Sequence, residues 1–138
     1  MKVLFLDIDG VANCRTTAQR FQGLRGIDPS LALLIRRITL AVTDLKVVLS
    51  SSWRNFPTGL REVETQIVPI FDTTPPLKGK RSDEIQAWLD GHPEVEKYAI
   101  IDDSCDLRED QRHQLFLTTD EIGITEAIVQ RIIKHFNS

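Results

Sequence analysis

An α/β domain on a mainly parallel sheet of about five strands is the fold class this sequence predicts, and three observations point to it. Short apolar runs alternate with longer stretches of helical periodicity, the pattern of parallel strands joined by helices. The run from Val3 to Ile8 is continuously apolar up to its acid, as expected of a strand buried on both faces. Finally, acidic or hydroxyl residues follow the runs directly, at Asp7, Ser50 and the Asp102–Asp103 pair. Open α/β sheets bind their ligands at such strand ends.

The elements can be read in order. Val3 to Ile8 is the first strand, ending in an acidic, Gly-containing turn. From Asp28 to about Leu45 the residues Leu31, Leu34, Ile35, Ile38 and Val42 recur at helical spacing, with Asp28 as N-cap and Pro29 in the first turn. Lys46–Leu49 is a second buried strand leading into Ser50, Ser51 and Ser52. Gln66–Phe71 is an irregular or edge strand, because Pro69 cannot donate to a ladder. Ser82 opens a helix with Ile85, Trp88 and Leu89 on one face, stopping near Gly91 and Pro93. Tyr98–Ile101 and His113–Leu117 are further strands, and Thr125–Phe136 is a closing amphipathic helix.

Composition sets outer bounds. The 138 residues, 41% hydrophobic and 27% charged, suit one domain over residues 1–138 with a real core. A net charge of -3 lacks the overall basic footprint of tight nucleic-acid binders, leaving only a local patch for that role. The opening MKVLFLDIDG is too short and too soon charged for a signal peptide or membrane span, so no membrane partner and a cytoplasmic location are expected. Cys14 and Cys105 are far apart and outside metal-ligand spacing, which agrees with a reducing compartment. His92, His113 and His135 share no spacing and read as surface or structural residues.

The candidate chemistry lies in the acids. In extended chain Asp7 and Asp9 lie on one side and Ile8 on the other. With Asp102 and Asp103 they form an oxygen-only donor set without His or Cys, suited to Mg²⁺ rather than Zn²⁺. A carboxylate can attack phosphorus to form an acyl phosphate, provided cations and hydrogen-bond donors surround the transferring group. Lys78, ahead of Lys80, and Ser50 with the neighbouring Ser51 suit those roles. Asp9 is placed to act as general acid and base, and Gly10 lets the turn approach a phosphate without a Cβ.

In this order, the segments LFLDIDGV (Leu4–Val11), VVLSSS (Val47–Ser52), LKGK (Leu77–Lys80) and AIIDDS (Ala99–Ser104) resemble the four motifs of the haloacid dehalogenase-like (HAD) phosphohydrolases. The resemblance implies a Rossmann-like, three-layer α/β/α domain. It implies Asp7 as nucleophile, Asp9 as general acid/base, and a Mg²⁺ held by the Asp7 carboxylate, the Asp9 backbone carbonyl and an acid of the late pair. Asp103 is favoured there over Asp102, and both are kept. An Asp two residues after the nucleophile is similar to the phosphatases and phosphomutases rather than to dehalogenases or ion pumps. SSSWR, KGKRSDEIQAWL and IIDDS look most like small bacterial and phage-type members, some of which occur in RNA-repair-like proteins.

Neither interval in which the family inserts a cap has room for one, since a polar loop (Ala12–Ile27) and one helix fill the first and a Pro-rich stretch from Arg54 to Lys78 the second. An open site would accept a phosphorylated nucleic-acid end, a nucleotide or a phosphoprotein side chain, as well as small esters. Arg15, Arg20, Arg25, Arg54 and Trp53 fall near its mouth, with Arg54 a phosphate contact and Trp53 a stacking surface or core residue; ordinary solvated charge is the competing reading for the arginines. The alternative to a phosphatase is a metal- and phosphate-binding recognition module without turnover.

Overall fold

The computed structural model describes residues 1–138. Strand β1 (Lys2–Leu6) is followed by a small hairpin, β2 (Arg20–Phe21) and β3 (Leu24–Arg25), then helix α1 (Pro29–Ala41) and strand β4 (Leu45–Leu49). A 3₁₀ turn (Ser52–Asn55) leads into α2 (Pro57–Gln66) and the short β5 (Asp72–Thr73). The chain continues through α3 (Arg81–Asp90), β6 (Lys97–Asp102), the single-turn α4 (Glu109–Arg112), β7 (Leu115–Leu117) and α5 (Glu126–Asn137). The five main strands form one sheet in the order β5-β4-β1-β6-β7 with every pair parallel. The fold class expected from the sequence is therefore the one observed, and no cap interrupts it.

The pleat of β1 sorts the core into two layers. Leu4 and Leu6 face a cluster with Ile35 and Ile38 of α1, Val63 of α2 and Val129 and Ile132 of α5. Val3 and Phe5 face the opposite side, against Ile85 and Trp88 of α3. Phe5 meets Trp88 edge-on at 5.5 Å and Tyr98 at 5.8 Å, so it gains aromatic edge contacts beyond its buried area. Trp88 is the core residue its helical position implied. His92 stacks on it at 3.7 Å, and His135 bonds to the Tyr98 carbonyl at 2.9 Å, both structural uses.

Several boundaries differ from expectation for identifiable reasons. β1 stops at Leu6 because the amides of Val11 and Ala12 both turn back to the Ile8 carbonyl. α1 has the expected Asp28 cap, which accepts from the Ser30 amide at 3.1 Å, but ends at Ala41. Val42 is already extended and Asp44 takes a left-handed φ of 59°, so β4 begins at Leu45. Gln66–Phe71 is not a strand. Pro69 has no amide to give, Ile70 donates to the Glu64 carboxylate, and pairing with β4 starts only at the Phe71 amide and proceeds through Asp72 and Thr73. α3 opens at Arg81 after the cap residue Lys80, not at Ser82. β7 is shorter than expected because Gln114 still closes the α4 turn onto Gln111. The hairpin lies within the expected polar loop Ala12–Ile27, and α2 within the Pro-rich stretch from Arg54 to Lys78, for which no helix is expected. No helix is long and apolar enough to cross a membrane.

Candidate active site

The sheet register brings the acids together. Leu6 pairs with Leu49 of β4 on one side and Ile101 of β6 on the other, so Asp7, Ser50 and Asp102 emerge at one level. The Asp7 amide donates to the Ile101 carbonyl at 3.2 Å and the Ser50 amide to the Leu6 carbonyl at 3.0 Å. Because β1 is central and β6 adjacent, the early and late acid turns face one another across a single strand spacing.

The turn after β1 is shaped by Gly10, whose φ of +82° disfavours any side chain. Its amide donates to Asn13 Oδ1 at 3.0 Å and its carbonyl accepts from Thr118 Oγ1 at 2.6 Å, fixing the turn from two sides. A Cβ there would stand 2.7 Å from Asp103 Cγ. Gly10 therefore leaves the space that Asp103 occupies.

Carboxylate oxygens of Asp7, Asp102 and Asp103 lie within 4.8 Å of one another. Asp7 is 4% exposed and Asp102 1%, whereas Asp103 reaches solvent. Burial, and then the charge of Asp102, push the Asp7 carboxyl up to about 8, while Arg81 pulls the other way. Asp103 is raised as well, again by burial and then by Asp102. Arg81 supplies the counter-charge, with Nη1 at 3.1 Å from Asp7 Oδ1 and 2.7 Å from Asp102 Oδ2. Burial disfavours its own charge, but the carboxylates of Asp7 and Asp102 hold the guanidinium above its ordinary value. One guanidinium for three acids leaves negative charge unneutralised. Together with the oxygen-only donor set and the cradle at Gly10, that charge fits a hard divalent cation.

Asp9 stands beside this trio rather than in it. Its two carboxylate oxygens accept from Asn13 Nδ2 at 2.9 Å and Trp53 Nε1 at 3.3 Å. Asp7, Asp9, Asp102, Asp103, Arg81 and Ser52 line one open cavity of about 390 Å³.

The remaining expected residues are placed less uniformly. Ser50 is wholly buried and its hydroxyl has no hydrogen-bond partner, an uncommon condition for a buried donor. The Ser51 hydroxyl caps the 3₁₀ turn by accepting from the Trp53 amide at 3.2 Å, which uses a lone pair and not its O–H. Arg54 corrects the expectation of a phosphate contact. Its side chain is 5% exposed, forms an ion pair with Glu84 at 2.7 Å, and donates to the carbonyls of Ser50, Ser51 and Thr74. Lys78 is exposed, forms no ion pair and does not line the cavity; Lys80 faces Asp106 at 3.7 Å. The cation beside Asp7 is Arg81, which sequence reasoning missed. A signal for it existed: Ile85 is a core position of α3, and the residue four earlier shares its helical face, so Arg81 had to face the sheet one turn nearer the strand ends.

No curated protein and no solved structure matches the chain. Residues 3–129 match the HAD domain in Swiss Army Knife RNA repair proteins, a span that holds the sheet from Val3 onward and each of the converging acids. The chain accordingly belongs to that family of HAD domains.

Proposed function

We propose that the protein is a Mg²⁺-dependent phosphomonoesterase acting through an aspartyl-phosphate on Asp7, with a nucleotide or nucleic-acid end as its phosphorylated substrate. The observation that carries this reading is the buried Asp7 carboxylate held between a guanidinium and two further acids at one strand-end level. A nucleophile so placed is fixed in orientation and needs positive charge to be ionised.

Mg²⁺ held by the carboxylates of Asp7 and Asp103, with Asp102 and the Asp9 backbone carbonyl adjoining, would supply charge neutralisation for the transferring phosphoryl group. An Asp7 oxygen attacks phosphorus while the ester P–O bond breaks, and Asp9 gives its proton to the departing oxygen. Asp9 then takes a proton from the attacking water as the bond between phosphorus and Asp7 breaks, releasing phosphate and restoring both acids. Arg81 takes over the charge-neutralising role first given to Lys78, and the unpartnered Ser50 hydroxyl is a donor in reserve for a phosphoryl oxygen. Asn13 and Trp53 orient Asp9 for both proton transfers.

Purified protein is expected to hydrolyse p-nitrophenyl phosphate with Mg²⁺. Asp7→Asn is expected to lose that activity while keeping its circular dichroism spectrum. Turnover surviving in Asp7→Asn removes the nucleophile from this scheme, and a wild type inert toward a broad panel of phosphate esters leaves the non-catalytic recognition module in its place.

A further inference from the structure

A second cavity, of about 370 Å³, adjoins the acid crevice and shares Asp9 and Ser52 with it as a common wall. Its other walls are Phe21, Gln22, Leu24 and Arg25 of the hairpin and Trp53 and Phe56 of the segment after β4. The hairpin is tightly made. Its two turn residues, Gln22 and Gly23, have φ of 51° and 80°, the mirror-image turn that matches strand twist. Gln22 Nε2 also reaches across to Thr58 Oγ1 at 3.1 Å, tying the tip to the start of α2.

Trp53 is only 6% exposed and packs into the larger core, so the surface this cavity offers comes mainly from the side chains around it. Phe21 stacks on Trp53 at 5.3 Å with 21° between the rings, and Phe56 follows at 6.5 Å and 31°. Leu24 is nevertheless 70% exposed and Phe56 37%. The cation in the wall, Arg25, is already paired with Asp120, and the acid, Asp9, accepts from Asn13 and Trp53, so the cavity offers the partly exposed Phe21 and Phe56 rings and little unpaired charge. Such a surface suits a planar heterocycle better than a charged peptide segment.

Its position relative to Asp9 indicates which part of a substrate would enter. If Asp9 protonates the departing oxygen, the group bearing that oxygen lies on the Asp9 side of the crevice, where the second cavity opens. Trp53 links the two sites physically, with its ring in the aromatic wall and its Nε1 on Asp9 Oδ2. We propose that this cavity is the leaving-group subsite and that it takes a nucleobase, stacked along the Phe21–Trp53–Phe56 wall, whose nucleoside carries the phosphate. The inference rests on the phosphatase reading for the direction of departure, and on the aromatic wall for the chemistry of what departs.

The test is calorimetric titration of full-length Asp7→Asn protein, with Mg²⁺ present, by adenosine monophosphate, by ribose 5-phosphate and by an oligonucleotide bearing a terminal phosphate. The nucleotide is expected to bind at least about tenfold tighter than ribose 5-phosphate, the low end of what one stacked base contributes. That ratio should fall severalfold toward one in Phe21→Ala and in Leu24→Ala. Leu24 is exposed enough that its variant will fold even if the Phe21 variant does not. Tighter binding of the oligonucleotide identifies a strand end as the source of the base, and tighter binding of the mononucleotide identifies a free nucleotide. A wild-type ratio near one, or a ratio that neither variant moves, overturns the subsite. Turnover of p-nitrophenyl phosphate with a ratio near one sinks the subsite alone, whereas a high ratio with no turnover of any ester sinks the phosphatase alone.

Discussion

The burial of Asp7 among further acids should make the protein's stability, and the affinity for the Mg²⁺ proposed above, depend on pH in opposite senses. In the metal-free protein the Asp7 carboxyl is raised from 3.8 to about 8, so the folded state keeps a proton that the unfolded chain has already lost. Below about pH 3.8 both states are protonated and the contribution is fully present. As pH rises from there, the unfolded chain gains by ionising freely, and folding stability falls until about pH 8, where the folded group ionises too. At about 1.36 kcal/mol per pH unit, the displacement corresponds to a ceiling of about 6 kcal/mol across the window. Cation binding must expel that proton, so apparent Mg²⁺ affinity should rise by up to about tenfold per pH unit and level off near pH 8.

Urea or thermal unfolding of wild type and Asp7→Asn, with chelator and with Mg²⁺, at about pH 5 and about pH 8, measures both slopes. The metal-free wild type should lose stability relative to Asp7→Asn on going to the higher pH, and Mg²⁺ should raise its melting temperature more at pH 8 than at pH 5. Titration of Mg²⁺ at neutral pH in buffers of different ionisation enthalpy should show close to one proton released. The reasoning fails if Mg²⁺ stabilises equally at both pH values, or if no proton leaves when it binds.

Three further outcomes follow from particular contacts. Arg81→Ala should lower kcat on p-nitrophenyl phosphate by about a hundredfold or more, in the range for removing one transition-state donor, whereas Lys78→Ala should cost less than about threefold; steady-state kinetics of the two variants decide between the cations. Gly10→Ala forces a Cβ into Asp103 at a left-handed φ. It should destabilise the fold by about 1–3 kcal/mol and weaken Mg²⁺ binding, read by urea midpoint and calorimetry. Arg54→Ala leaves Glu84 buried without its partner and should cost about 3–5 kcal/mol, seen as a large drop in urea midpoint with or without metal.

Much of the architecture was legible because β1, β4 and β6 each carry a short buried apolar run and the longer helices repeat apolar residues at helical spacing. β1, β4 and β6 could be placed from those runs, and the acids and serines at their ends marked the functional edge. The elements that escaped are those whose sequence does not pay for itself locally. The hairpin has only two residues in each strand and owes its shape to a turn and to Gln22 gripping Thr58. α2 begins with Pro57 and Gly59 and offers few apolar positions. Its Val63 and the following Ile67 are buried against the larger core, and that tertiary burial outweighs a weak intrinsic preference.

The same distinction explains the cations. Lys78, Lys80, Arg81 and Arg54 are indistinguishable by charge, and proximity to a motif favoured the first. What separates them is where the backbone aims each side chain. Lys78 and Lys80 precede α3 and remain at the surface. Arg54 is drawn inward by Glu84 and three carbonyls at once, so its charge is used in tying the Ser50–Ser51 segment to α3. Arg81, as the first residue of α3, shares the sheet-facing side of Ile85 and reaches the level where Asp7 and Asp102 leave their strands. The clamp and the counter-ion share one helix: Arg54 ties Glu84 of α3 to the Ser50 turn, and that seating is expected to set how far Arg81 extends over Asp7. Glu84→Gln, which keeps the shape and removes the charge, should then lower phosphatase kcat as well as stability, although Glu84 does not line the acid crevice. A variant that lost stability with kcat intact at a temperature where it is folded would show that the seating of α3 does not govern Arg81.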